Sequence, residues 1–238
     1  MHRSAFVLLT PSVPLRTPHK RALVAGGTGR VGAAIADRLR ADGWTVLAAG
    51  RTDGDVRTRA GAAALVAQAL EELGGLDLVV HSAGGGFVPK QIEDVTEEDW
   101  DEALDVTAKG TFFLAQAAAS ALREANGVLV IVEDVASYQA WTSFPAHSAA
   151  KAAQAMLTRV LARALAPEVR VCGIAPGPVA VEPGQEERRA AETLLGRVGS
   201  PEDVADGVLY LAGAGYVTGA TLVIDGGRLL KSGGRIVP

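Results

Sequence analysis

Short apolar runs bounded by glycine or polar residues alternate along this chain with longer stretches in which apolar side chains recur every three to four positions. The runs at 22–25, 44–49, 76–80, 128–132, 170–174 and 221–224 read as buried strands. The stretches at 33–40, 62–73, 97–124, 143–166, 186–195 and 201–211 read as helices, and Pro145 falls where a first helical turn accepts proline. Asp55 and Val56 follow the second strand after a short loop, so a rudimentary third strand is expected there, with no helix before it. Strands that alternate with helices pair in parallel through right-handed crossovers. The expected fold is therefore α/β: a single doubly wound Rossmann-type domain, its mostly parallel sheet flanked by helices. Ligands of such sheets lie beyond the carboxyl ends of the strands. Residues 26–32, 82–86, Asp134 and 176–179 should converge there.

Composition bounds the rest. With 238 residues, 48% hydrophobic and 21% charged, the chain suits one large core. A net charge of -4 and a pI near 5.6 give no basic footprint for nucleic acid, which favours a small-molecule substrate. Cys172 is the single cysteine, so an internal disulfide is excluded, and no Cys/His cluster suggests a metal. A reducing, cytoplasmic setting follows as the expectation. Residues 1–20 contain Pro11, Pro14 and Pro18 and several basic side chains, and no acid precedes Asp37. They read as an extension before a domain at 21–238. The apolar stretch at 5–9 is too short for a signal core, and no run of about 18 apolar residues predicts a membrane span.

The chemistry starts at the first turn. Gly27, Gly29 and Gly32 fit G-x-G-x-x-G between a strand and a helix, the arrangement that brings backbone amides and a helix N-terminus to a pyrophosphate. A plain glycine-rich turn is the alternative. Arg51 stands at the end of the second strand, where a carboxylate would bind the ribose 2′-hydroxyl of NAD and a guanidinium can pair with the 2′-phosphate of NADP. Together with Arg30 it points to NADP(H), against the alternative that both are ordinary solvated arginines.

With a second glycine turn at 82–86, Lys151 on a helix, a Pro-Gly turn at 176–178 and the segment from Val217 to Gly227 in this order, the chain resembles the short-chain dehydrogenase/reductase family over residues 21–230. The resemblance implies an NAD(P)-binding domain that assembles as a homodimer or homotetramer on its two long helices. It puts Gly26, Thr28, Gly29, Arg30, Val31 and Gly32 in the phosphate turn, with Asp55 and Val56 near the adenine. Ser82, Ala83 and Gly84 would run along the cofactor, and Lys151, Pro176, Gly177 and Val179 would lie near the nicotinamide end. Most members use Asn, Ser, Tyr and Lys for catalysis. The matching positions here are Thr107, Asp134, His147 and Lys151, so only the lysine is kept. An aspartate at the serine position and an arginine late in the glycine turn also resemble the pteridine reductases, which retain the tyrosine.

Residues 147 and 151 are one helical turn apart and share a face. An imidazole can donate a proton near neutrality, since its ordinary pKa of about 6.5 lies well below the phenol's of about 10. The expectation is that His147 donates or relays the proton, Lys151 holds the nicotinamide ribose, and Asp134 orients the substrate or its proton. Tyr138, four residues after Asp134, is a candidate surrogate for the missing phenol. Two functions follow: reduction of a carbonyl or imine in a small pterin-like or 3-oxoacyl substrate, or cofactor binding without turnover in a sensor or subunit. A short charged lid at 184–197 argues against a large apolar ligand such as a steroid.

Overall fold

A computed structural model describes residues 20–85 and 87–231. The extension at 1–19, its apolar stretch at 5–9 and Gly86 lie outside these residues. Six strands form one sheet: β1 (Arg21–Ala25), β2 (Thr45–Ala49), β3 (Leu78–His81), β4 (Val128–Val132), β5 (Arg170–Pro176) and β6 (Thr221–Ile224). Every pairing is parallel, in the order β2-β1-β3-β4-β5-β6. The chain thus moves outward from β1 to β2 and then crosses to the opposite side of β1. That reversal opens the crevice between β1 and β3 where ligands of such sheets bind.

The strands are apolar on both faces because both are covered. Along β1, Ala22 and Val24 face one core while Leu23 and Ala25 face the other. β4 divides likewise, with Leu129 and Ile131 on the second side. Helices α1 (Arg30–Ala41) and α7 (Pro201–Gly213) cover the first face, whereas α2 (Arg59–Leu73), α4 (Gly110–Ala125) and α5 (Pro145–Leu165) cover the second. At the far end of the sheet the Arg21 guanidinium, 2.8 Å from the buried Asp77 carboxylate, ties β1 to the start of β3.

Three expectations need correction. Asp55 and Val56 form no strand; they lie in the turn that leads into α2, and α2 is itself the crossover helix between β2 and β3. Asp55 spends its hydrogen-bonding capacity on the Arg57 side chain and amide, which fold the chain back instead of extending it. The long helix of 97–124 consists of α3 (Glu97–Leu104) and α4, joined through a π turn at Asp105–Lys109. The stretch at 186–195 is helical only over α6 (Glu186–Ala190), because the amides of Leu194 and Leu195 turn to the carbonyl of Gly226. A last short helix, α8 (Arg228–Lys231), closes the described chain.

Candidate active site

The first glycine turn is built by close packing. Gly26 has φ +84°, and a Cβ there would lie 2.5 Å from the Ala83 amide, so this position must be glycine for the β1 and β3 turns to touch. At Gly32 a Cβ would collide with the Gly26 carbonyl, and α1 could not seat on the turn. Gly29 and Gly84 differ: a Cβ at Gly29 would only graze the Gly26 carbonyl at 3.5 Å, and one at Gly84 would meet nothing within 4 Å.

Gly26, Thr28, Gly29, Arg51, Asp55, Val56, Ser82, Ala83 and Gly84 line one cavity of about 210 Å³ at the carboxyl end of the sheet. Arg30, Val31 and Gly32 form the first turn of α1 beside it. This helix starts at Gly29 with no side-chain cap and no acidic residue in its first turn. Its amides and positive dipole end are therefore left for an anion. A cradle lined by backbone, next to an uncapped helix start, fits a dinucleotide pyrophosphate. Pro176, Gly177 and Val179 lie apart from that cavity, toward β6. The Gly177 amide donates to the Ile224 carbonyl over 2.9 Å, and Val179 pairs with Gly199.

Arginines frame the opening. Arg51 donates to Glu102 over 2.8 Å and Arg30 to Glu182 over 2.9 Å, both pairs largely exposed. Arg57, which the sequence reading passed over, contacts both Asp55 and Glu102. Its hydrogen bonds hold the Asp55 carboxyl below the usual carboxylate range. The signal was available: Arg57 stands two residues after Asp55.

Toward the middle of the sheet, Asp134 lies in the turn two residues past β4 and α5 brings His147 alongside, Nε2 to Oδ2 3.5 Å. That is too long for a good hydrogen bond, and both imidazole nitrogens are buried without a hydrogen-bond partner. Asp134 accepts from the Ala136 amide over 2.7 Å, which fixes the carboxylate at the strand end. Lys151 is buried one turn along α5. Its ammonium donates to the Val132 carbonyl over 2.9 Å and to Gln154 Oε1 over 3.0 Å. Burial lowers its pKa, against the opposing charges of Asp134 and Glu133. Tyr138 is 43% exposed at the end of the turn after Asp134.

Behind Lys151 lies a polar layer absent from the sequence reading. Gln154 Nε2 donates to Thr111 Oγ1 over 2.9 Å, and Thr111 donates to the Thr107 carbonyl over 2.6 Å. That bond is the local one a helical threonine makes to the carbonyl four residues before it. The Thr107 hydroxyl is buried without a partner. Fully buried His81 has Nδ1 3.4 Å from Gln154 and 3.5 Å from Thr111, and burial lowers its pKa to about 3, with the Lys151 charge adding to the effect. Glu133 accepts from Thr158 over 2.6 Å and Thr221 over 3.1 Å, and burial raises its pKa.

Comparison with known proteins decides the family. A family model described as enoyl-(acyl carrier protein) reductase matches residues 35–228. Dehydrogenase/reductase SDR family member 4 of Bos taurus is 33% identical, covering 89% of this chain and 88% of its own. The chain belongs to the short-chain dehydrogenase/reductase family. Within that family, 3beta-hydroxysteroid dehydrogenase 1 of Eggerthella lenta is 34% identical, with 90% and 95% of the two chains covered. Among solved structures, a blue fluorescent protein from a metagenomic library in complex with NADPH superposes with a TM-score of 0.79 at 26% identity, covering 87% of this chain and 96% of its own. Membership brings a nicotinamide cofactor and an oxidoreductase reaction. Among the described residues no helix is long and apolar enough to cross a membrane, and no group of three metal-ligating side chains occurs.

Proposed function

We propose that this short-chain dehydrogenase/reductase is an NADPH-dependent reductase of a carbonyl or imine in a small substrate, with His147 as its proton donor. The observation that carries the reading is the buried, unpartnered imidazole of His147 beside the Asp134 carboxylate, at the same sheet edge as the glycine-turn cavity. NADPH, when bound, supplies the hydride. The turn at Gly26, Thr28, Gly29, Arg30, Val31 and Gly32 would hold its pyrophosphate. Arg30, Arg51 and Arg57 are the cations for a 2′-phosphate. Asp55, Val56, Ser82, Ala83 and Gly84 would follow its length, and Pro176, Gly177 and Val179 would flank its far end. His147 holds a proton for the substrate heteroatom where negative charge develops, and Asp134 stabilises the imidazolium and orients the ring. Lys151, from its place beneath the strand end, sets the local field.

The inward turn of the Lys151 ammonium favours one second reading, a protein that binds NADP(H) without turnover. Titration with NADPH and NADH, followed by nicotinamide fluorescence, separates the two once pterins, quinones and 3-oxoacyl esters are added. Tighter NADPH binding and its oxidation by one of these supports the reductase; binding without turnover supports the sensor, and no binding sinks both. We also infer assembly as a homodimer or homotetramer through α4 and α5, which expose Phe112, Met156 and Val160. Light scattering on the purified chain tests that assignment.

A further inference from the structure

The chain has five phenylalanines and three tryptophans, and Phe87, Phe144 and Trp141 meet in one place, around His147. They come from two separate segments: Phe87 from the loop after β3, and Trp141 and Phe144 from the approach to α5. Phe87 stacks on Phe144 with centroids 4.6 Å apart and planes 13° apart, and it presents an edge contact to His147 at 4.9 Å. Trp141 lies nearly parallel to the imidazole, 16° off at 6.2 Å, and carries the Arg228 guanidinium 4.9 Å from its ring centre. Yet Phe87 remains 56% exposed, an unusual state for a ring with three aromatic neighbours.

Two observations point to a ligand. The His147 ring is 6% exposed and neither nitrogen has a hydrogen-bond partner; Asp134 Oδ2 stands 3.5 Å from Nε2, and Nδ1 is a buried polar atom that the described side chains leave unsatisfied. Phe87 and Trp141 are both in ring contact with His147, so a molecule that approaches the imidazole from their side lies against them. A planar conjugated group gains most from such surroundings, because ring faces and edges reward offset or edge-on stacking beyond simple area burial. A flexible alkyl chain gains only the area and loses rotational freedom.

We infer that the substrate carries a planar aromatic or conjugated ring beside its reducible carbonyl, clamped by Phe87, Trp141 and Phe144 with the carbonyl at His147. This assignment rests on the reductase reading above, and it selects among that reading's substrates: it favours ring carbonyls and disfavours aliphatic 3-oxoacyl chains. Phe87 is the specificity-determining residue, since it is the most exposed ring of the cluster and touches both Phe144 and His147.

The test compares 2-naphthaldehyde with octanal as substrates, and the unreduced 2-naphthamide with octanamide as ligands in calorimetric titrations, with NADPH present and absent. Wild-type protein should bind 2-naphthamide at least about tenfold more tightly than octanamide and prefer 2-naphthaldehyde in kcat/KM by a similar factor. Phe87→Ala should lose about tenfold on the naphthyl compounds and less than about twofold on the octyl ones, and Phe87→Tyr should restore the difference. Since Phe87 is mostly exposed, circular dichroism of Phe87→Ala should match wild type. Equal affinity for the two amides, or equal loss on both aldehydes in Phe87→Ala, overturns the clamp while leaving a reductase standing. Selective 2-naphthamide binding without oxidation of NADPH by either aldehyde, or by the pterins, quinones and 3-oxoacyl esters, upholds the clamp and overturns the reductase. Failure of both amides to bind overturns the clamp whatever the aldehydes do.

Discussion

The carboxylate of Glu133 occupies the space that a side chain at Gly173 would need. Gly173 on β5 pairs with Ile131 of β4, and Glu133 stands just past the end of β4; a Cβ on Gly173 would run into Glu133 Oε1. The Thr158 and Thr221 hydroxyls hold the carboxylate in that notch. Gly173→Ala should therefore cost about 2–4 kcal/mol of unfolding free energy, because a buried, hydrogen-bonded group has nowhere to move. Glu133→Gln keeps shape and acceptor and should cost less than about 1.5 kcal/mol. Urea denaturation of both variants at pH 7 checks the order.

This notch also illustrates what the sequence could and could not tell. The strands were legible because each is an unbroken apolar run, and the glycine turns because their spacing belongs to one local structure. Asp134 and His147 could be paired through the thirteen-residue interval that the family resemblance supplies. Glu133, His81, Thr111 and Gln154 were not legible as a layer, since their contacts join β3, β4, α4 and α5 and no periodicity records which polar side chain faces inward. The direction of the Lys151 ammonium was hidden for the same reason: helix spacing gives its face, while its bond to the Val132 carbonyl depends on where β4 ends. The absent third strand turned on one local choice, the preference of Asp55 for Arg57.

Glu102 stands between two cations, accepting from Arg51 on Oε1 and from Arg57 on Oε2. In the NADPH reading it competes with a 2′-phosphate for both. Arg51→Asp should lower NADPH affinity relative to NADH by on the order of tenfold. Glu102→Gln should move the ratio the other way by a few fold, since it removes the negative charge that faces both guanidinium groups. Fluorescence titration with each nucleotide reads the change directly, and an unchanged ratio in Arg51→Asp refutes the 2′-phosphate assignment.

His81 makes stability depend on acid. The folded protein keeps it neutral down to about pH 3, whereas an unfolded chain takes up the proton near 6.5. Between these values the unfolded state binds more protons, so stability is full above about pH 6.5 and declines as pH falls toward 3. The loss across the window is on the order of 5 kcal/mol. Glu133, its pKa raised by burial, acts in the opposite sense: its contribution is present at low pH and is lost as pH rises through its folded value. Thermal unfolding measured from pH 7 to pH 4 should show a falling midpoint in the wild type and a flatter curve in His81→Asn.

The Asp134–His147 pair bears on chemistry more than on folding. At 3.5 Å its imidazole and carboxylate are poised to tighten once the ring is charged, and the Ala136 amide keeps Asp134 from following the ring. His147→Ala should lower kcat for NADPH oxidation by about a hundredfold or more, the usual contribution of a positioned proton donor, while leaving the NADPH dissociation constant within about twofold. Asp134→Asn keeps the amide contact but removes the charge that supports an imidazolium. Its loss in kcat should be smaller, on the order of tenfold. Steady-state rates from pH 5.5 to pH 8.5 with any substrate that oxidises NADPH provide the comparison. A His147→Ala enzyme running at the wild-type rate would remove the imidazole from the reaction and return the proton to another group.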